Sequence, residues 1–146
     1  MLLGSYKHNL DTKYRVIMPS KLREEIGDSF VVAKGFGACL AVYSQEEYTK
    51  LAQKVLALPS NLPETQFIRR QILGEAENCS ADKQGRFVVP TDLREKVGIT
   101  REVMIVGNGD HVEIWDIDAW NEYMYGEKAM SFEEAAASLQ EKGWTF

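Results

Sequence analysis

Cysteine and histidine are scarce in this chain, with two of each. Cys39, Cys79, His8 and His111 fall into no C-x-x-C or H-x-x-x-H spacing, so no metal site is expected. No apolar run approaches the roughly 20 residues that a membrane span needs. The opening "MLLGSYKHNL" is too short and too polar for a signal peptide. The expected compartment is therefore the cytoplasm, where both cysteines stay reduced as small core residues. No glycine-rich phosphate loop precedes a helix, and no G-x-S-x-G elbow is present. These absences leave no cofactor, metal or catalytic centre to expect. An excess of positive charge is also missing. The net charge of −5 argues against a generic nucleic-acid binder.

The charge is unevenly spread, however. Residues 7–23 carry Lys7, Lys13, Arg15, Lys21 and Arg23 against Asp11 alone, a local +4. Residues 110–146 hold nine acids against Lys128 and Lys142, a local −7. Opposite signs can occupy opposite faces, so the total says little about a local site. Hydrophobic residues at 45% and charged residues at 27% are those of one ordinary soluble domain, long enough to bury a core.

What the sequence has in plenty is repetition. "DTKYRVIMPSKLREEIG" at 11–27 returns as "DKQGRFVVPTDLREKVG" at 82–98. At an offset of 71, seven of the seventeen positions are identical, among them Asp11/Asp82, Arg15/Arg86, Pro19/Pro90 and Gly27/Gly98. After one extra residue, "VVAKGFGACLAVYSQEEY" aligns with "VMIVGNGDHVEIWDIDAW". Each copy reads as a short strand ended by proline, a brief helix closed by glycine, a hairpin around G-x-G, and a longer helix. Ser44 with Glu47 and Asp116 are the expected caps of the longer helices, and Ser131 with Glu134 that of a last helix. Trp120, Tyr123 and Met124 are expected on the inner face of the second long helix. Residues 64–75 read as a connecting helix after the Pro-punctuated "LPSNLPE".

One copy of about 45 residues rarely buries enough apolar surface to fold alone. The repeat therefore predicts a single pseudo-two-fold α+β domain. The expected division is unit 1 at 5–47, connecting helices at 48–75, unit 2 at 76–120, and a C-terminal helix or tail at 121–146. Trp115, Trp120, Tyr123 and Tyr125 crowd into eleven residues. So small a core cannot hide them all, which predicts a homo-oligomer larger than a dimer.

The centre of each copy, Asp-x-x-x-Arg followed by three apolar residues and Pro, admits three readings. Asp11 and Asp82 could cap turns, with Arg15 and Arg86 in ion pairs. The two aspartates could form a carboxylate dyad, although no Gly follows closely as an aspartic-protease loop requires, and Lys13 or Lys83 would keep a flanking carboxylate ionised. Or Arg15 and Arg86, with Lys13 and Lys83 beside them, could grip phosphate or guanine edges from a β-ribbon.

The pattern resembles that of the MraZ family, of the AbrB/SpoVT-type swapped-hairpin superfamily. The residues that carry the likeness are Gly4-Ser5-Tyr6 with "LDTKYRVIMPSKLR", then "DKQGRFVVPTDLR", then "VGNGDHVEIW", and they span about residues 1–125. The resemblance implies two tandem swapped-hairpin units around a small barrel-like sheet with short helices. It implies a DNA-binding transcriptional regulator of the division and cell-wall gene cluster, nucleoid-associated, acting as a ring-like homo-oligomer on direct promoter repeats of double-stranded DNA. Arg15 and Arg86 carry over as DNA contacts, with Lys13 a helper. Arg23 and Arg94 match too, as DNA contacts or as structural ion pairs. The alternative is an antitoxin-like or scaffold module whose ring binds a protein partner. One position departs: Tyr14 stands where the second copy has Gly85. A left-handed backbone there would strain a tyrosine, so either the turn differs or Tyr14 is displayed toward a partner.

Overall fold

A computed structural model describes residues 1–146. In chain order the elements are β1 (Ser5–Asn9), β2 (Arg15–Ile17), α1 (Ser20–Ile26), β3 (Ser29–Lys34), β4 (Cys39–Ser44), α2 (Gln45–Leu56), α3 (Pro63–Arg69) with a π-helical turn at Arg70–Gly74, then β5 (Glu77–Ser80), β6 (Arg86–Val88), α4 (Thr91–Lys96), β7 (Glu102–Gly107), β8 (Val112–Asp116), α5 (Ile117–Tyr125) and α6 (Phe132–Glu141). The second half repeats the first: β1, β2, α1, β3, β4 and α2 find their counterparts in β5, β6, α4, β7, β8 and α5.

The halves interlock by exchanging strands. Six strands form one antiparallel sheet in the order β1-β7-β8-β4-β3-β5. β1 pairs with β7 of the other copy, with Tyr6 opposite Ile105, and β5 pairs with β3, with Cys79 opposite Phe30. β4 and β8 meet at the centre, where the equivalent residues Ala41 and Glu113 face each other. The remaining strands, β2 and β6, form a separate two-stranded ribbon centred on a second equivalent pair, Val16 and Phe87. The chain is thus an α+β pair of tandem swapped-hairpin units in one pseudo-two-fold domain.

The sheet is not closed into a barrel. Turns at Asp11 and Asp82 lead the chain off the edge strands, and Pro19 and Pro90 follow soon after the three-residue β2 and β6. A proline cannot donate to a ladder, so these strands cover the sheet as a ribbon rather than closing its edges.

Strand alternation sends Leu40, Val42, Val112 and Ile114 to one face of the sheet, where they join Val16, Met18, Phe87, Val89, Leu22 and Leu93 in a core of 19 buried residues. Phe30 meets Phe87 edge to face at 4.9 Å, tying a sheet strand to the ribbon. The opposite face carries Cys39 and Trp115, covered by α5 through Trp120. Burial pushes the Cys39 thiol up to about 12, so it stays a neutral core group. On the same strand Glu113 is nearly buried. Burial alone would raise it, but hydrogen bonds from His111, Trp115 and Asn108 outweigh that and hold its carboxyl below the usual range. His111 is raised in return, by its hydrogen bond to Glu113 first.

The caps behave as read. Ser44 Oγ accepts from Glu47 N at 3.1 Å, Asp116 accepts from Asp118 N, and Ser131 with Glu134 closes a full capping box. The connecting segment is helical, though it winds into the π turn at Arg70–Gly74. On α5 only Trp120 is inside; Tyr123 and Met124 are exposed, because one short helix lying on a sheet can bury only its central stripe. α6 buries no residue.

Phe87 touches both halves, so Phe87→Ala is expected to cost about 3–5 kcal/mol. Urea denaturation should show that loss in a single transition, with no separate unfolding of one half.

Candidate nucleic-acid interface

The two Asp-x-x-x-Arg turns are the same object built twice. Asp11 Oδ1 accepts from the backbone N–H groups of Lys13 and Arg15, both at 2.9 Å, and Oδ2 accepts from Arg15 Nε at 2.7 Å. Asp82 Oδ1 accepts from Gln84 and Arg86 N–H at 2.9 Å, and Oδ2 from Arg86 Nε at 2.9 Å. Backbone bonds Tyr14 N to Asp11 O and Gly85 N to Asp82 O close both turns. The backbone N–H of Arg15, then the guanidinium and Lys13 N–H, hold the Asp11 carboxyl below its ordinary range. Asp82 is lowered by the same groups of Arg86 and Gln84. Each carboxylate is therefore ionised and occupied by its own turn, which is the turn-capping reading and leaves neither free to share a proton in a dyad.

This wiring fixes the arginines without consuming them. Each aspartate binds its arginine at Nε and leaves both Nη groups to other partners. Arg86 Nη2 makes one further bond, donating to Gln84 Oε1 at 3.0 Å. Position 13 holds lysine in the first copy, so Arg15 has no such clip. Strand β2 carries Arg15 and strand β6 carries Arg86, and β2 pairs with β6 in register Arg15–Val88 and Ile17–Arg86. The arginines thus share one ribbon face, half-exposed, while Val16 and Phe87 fill the core behind them. Lys13 and Lys83 are exposed on the adjacent turns. Helix α5, with its acidic residues, lies on the far face of the sheet.

The question posed by Tyr14 has a physical answer. The turn does not differ: Tyr14 has φ 58° and Gly85 has φ 82°. Tyr14 occupies the left-handed region at a cost, and Arg94 of the other copy lies over its ring at 3.8 Å. At the equivalent place, Arg23 donates to Asp82 O and pairs with Asp28. A side chain at position 85 would meet Arg23 Nη1 at 3.1 Å. Arg23 is thus a structural ion-pair residue, and Arg94 is a stacking partner whose Nε is buried with no acceptor.

Two features escape a reading of motifs. One is the stack of Arg94 on Tyr14, which joins residues eighty apart in the chain. The other is the exposure of Ile17 and Val88 beside the arginines. The signal for the second was present: period-two alternation from Arg15 puts Ile17 on the arginine side, but the unbroken apolar run "VIMP" hides it.

Comparison with known proteins agrees with this construction. A family described as "MraZ protein, putative antitoxin-like" matches residues 1–71 and again 72–142. A protein of Heliobacterium modesticaldum named "Transcriptional regulator MraZ" is 42% identical over 95% of this chain and 96% of its own length. Relatives bearing the same name are 43% identical in Thermoanaerobacter pseudethanolicus, over 97% of this chain and 98% of the relative's own length, and 38% identical in Halothermothrix orenii, over 98% and 99% respectively.

Replacing Tyr14 separates its strain from its stack. Tyr14→Gly relieves the backbone but loses the cation–π contact, so its stability should stay within about 0.5 kcal/mol of wild type. Tyr14→Ala keeps the strain and loses the contact, and should be destabilised by about 1 kcal/mol. Chemical denaturation of the two variants checks the order.

Proposed function

The chain belongs to the MraZ family, and on that footing we propose that it is a transcriptional regulator that binds double-stranded DNA sequence-specifically through the ribbon of Arg15 and Arg86. The observation that carries this reading is the doubled turn: two guanidiniums, each braced at Nε by an ionised aspartate, presented on one face of a β-ribbon. A guanidinium is shaped to meet the O6/N7 edge of guanine or a phosphate in two-pronged fashion; Arg15 has both Nη groups open for this, and Arg86 would exchange its bond to Gln84 for it. A two-stranded ribbon fits the major groove. Lys13 and Lys83 then add phosphate contacts from the flanking turns.

The net charge of −5 is compatible with this, because the acidic helix α5 packs on the opposite side of the sheet from the ribbon. A homo-oligomer, ring-like as the family resemblance implies, would repeat the arginine face along direct promoter repeats, so weak grips sum by avidity. The exposed Tyr123, Tyr125, Phe132 and Trp144 support assembly. Trp115 and Trp120 do not, since each is buried within its own chain. The target we assign is the division and cell-wall gene cluster, regulated from the cytoplasm and nucleoid. The competing reading is an antitoxin-like ring that binds a protein.

Anisotropy on the DNA upstream of the chain's own gene tests the proposal. Arg15→Ala and Arg86→Ala should each remove about 1–3 kcal/mol per lost base contact, compounded over the engaged subunits, with fold and oligomer mass unchanged. Lys83→Ala should weaken all sequences alike and flatten the dependence on log[salt]. Wild-type binding by both arginine variants would move the protein-binding reading ahead.

A further inference from the structure

The outward face of the ribbon holds four side chains, and only two of them are arginines. Val16 and Phe87 point inward and are 1% and 2% exposed, whereas Ile17 and Val88 point outward and are 43% and 53% exposed. The ladder bonds Val89 N to Tyr14 O and Met18 N to Gly85 O make Arg15–Val88 and Ile17–Arg86 the closely spaced cross-strand pairs, with Cα atoms about 4.5 Å apart. Each arginine therefore stands directly opposite an exposed β-branched hydrocarbon. The four side chains occupy a patch of about 5 by 7 Å, well inside a major groove of about 12 Å.

We propose that Ile17 and Val88 are specificity-determining residues that read the 5-methyl group of thymine in the major groove beside the bases that Arg15 and Arg86 contact. This rests on the DNA-reading assignment of the ribbon and adds to it a second recognition chemistry. Neither side chain can donate or accept a hydrogen bond. What each can distinguish is hydrocarbon from polar surface, and thymine alone among the bases presents a methyl group to that groove. Cytosine at the same place carries only hydrogen at C5, so the side chain would lose its apolar contact. The braced guanidiniums fix the register, so the opposite side chain meets a neighbouring base at a set position.

The probe is the duplex that the full chain selects from a randomised library, made with thymine or with 2′-deoxyuridine at each position in turn. That exchange removes the methyl group and leaves the pairing edge intact. Wild type should lose about three- to tenfold in affinity at one or two positions per bound subunit, the scale of one buried methyl. The double variant Ile17→Ala/Val88→Ala should bind the thymine duplex more weakly by a similar factor and be indifferent to deoxyuridine. The wild-type arm depends on no variant folding. If wild type is indifferent to deoxyuridine everywhere while Arg15→Ala still abolishes binding, the methyl assignment is wrong and the DNA-reading assignment stands. If the double variant is as sensitive as wild type, other residues read the methyl group and the proposal fails. If wild type selects no duplex, the DNA-reading assignment fails and this inference with it.

Discussion

Neither half of this chain can complete its own sheet, and the rest of the structure follows from that. β1 finds its partner in β7 and β5 in β3, so each edge strand belongs to the opposite repeat. The same exchange brings β2 to β6, with Val16 against Phe87 on the pseudo-dyad. A repeat this small exposes too much apolar surface to be stable alone. Interlocking removes that surface, and in doing so sets two equivalent arginines side by side on one ribbon. Core burial and display of the site are consequences of one backbone pairing.

The charges then work within that frame. An exposed arginine loses rotamer entropy when it is held. Here the aspartate that caps the turn also braces the guanidinium, so a single carboxylate orders both backbone and side chain. The two halves have diverged at this point. Gln84 clips Arg86, whereas Arg15 stands without a clip, and the first turn carries a left-handed tyrosine stabilised by Arg94. The pseudo-symmetry is therefore one of backbone, and the exposed surface is not the same on its two sides.

Much of this was legible in the residues. The offset of 71, the glycine after each short helix and the caps at Ser44, Asp116 and Ser131 all depend on contacts within a few residues, which a sequence displays. β1 and β5 were not legible, because "SYKHN" and "ENCS" have no apolar alternation; they are half-exposed edges whose partners lie in the other repeat. An open sheet in place of a barrel, and the burial of Trp115 and Trp120, depend likewise on long-range pairing. Asp11, Asp82, Arg15 and Arg86 stood out by repetition, but that each arginine pairs with its own turn's aspartate depends on side-chain geometry, which the repeat alone does not show. Ile17 and Val88 were missed because an apolar run reads as core until the pairing shows which side is covered.

Native-state hydrogen exchange tests the interlocked pairing most directly. The amides of the β1–β7, β3–β5 and β2–β6 ladders should open together, at one free energy equal to that of global unfolding, because each of these three ladders joins one repeat to the other. Two well-separated opening free energies, one for residues 1–71 and another for 72–142, would show two independent units and contradict the account.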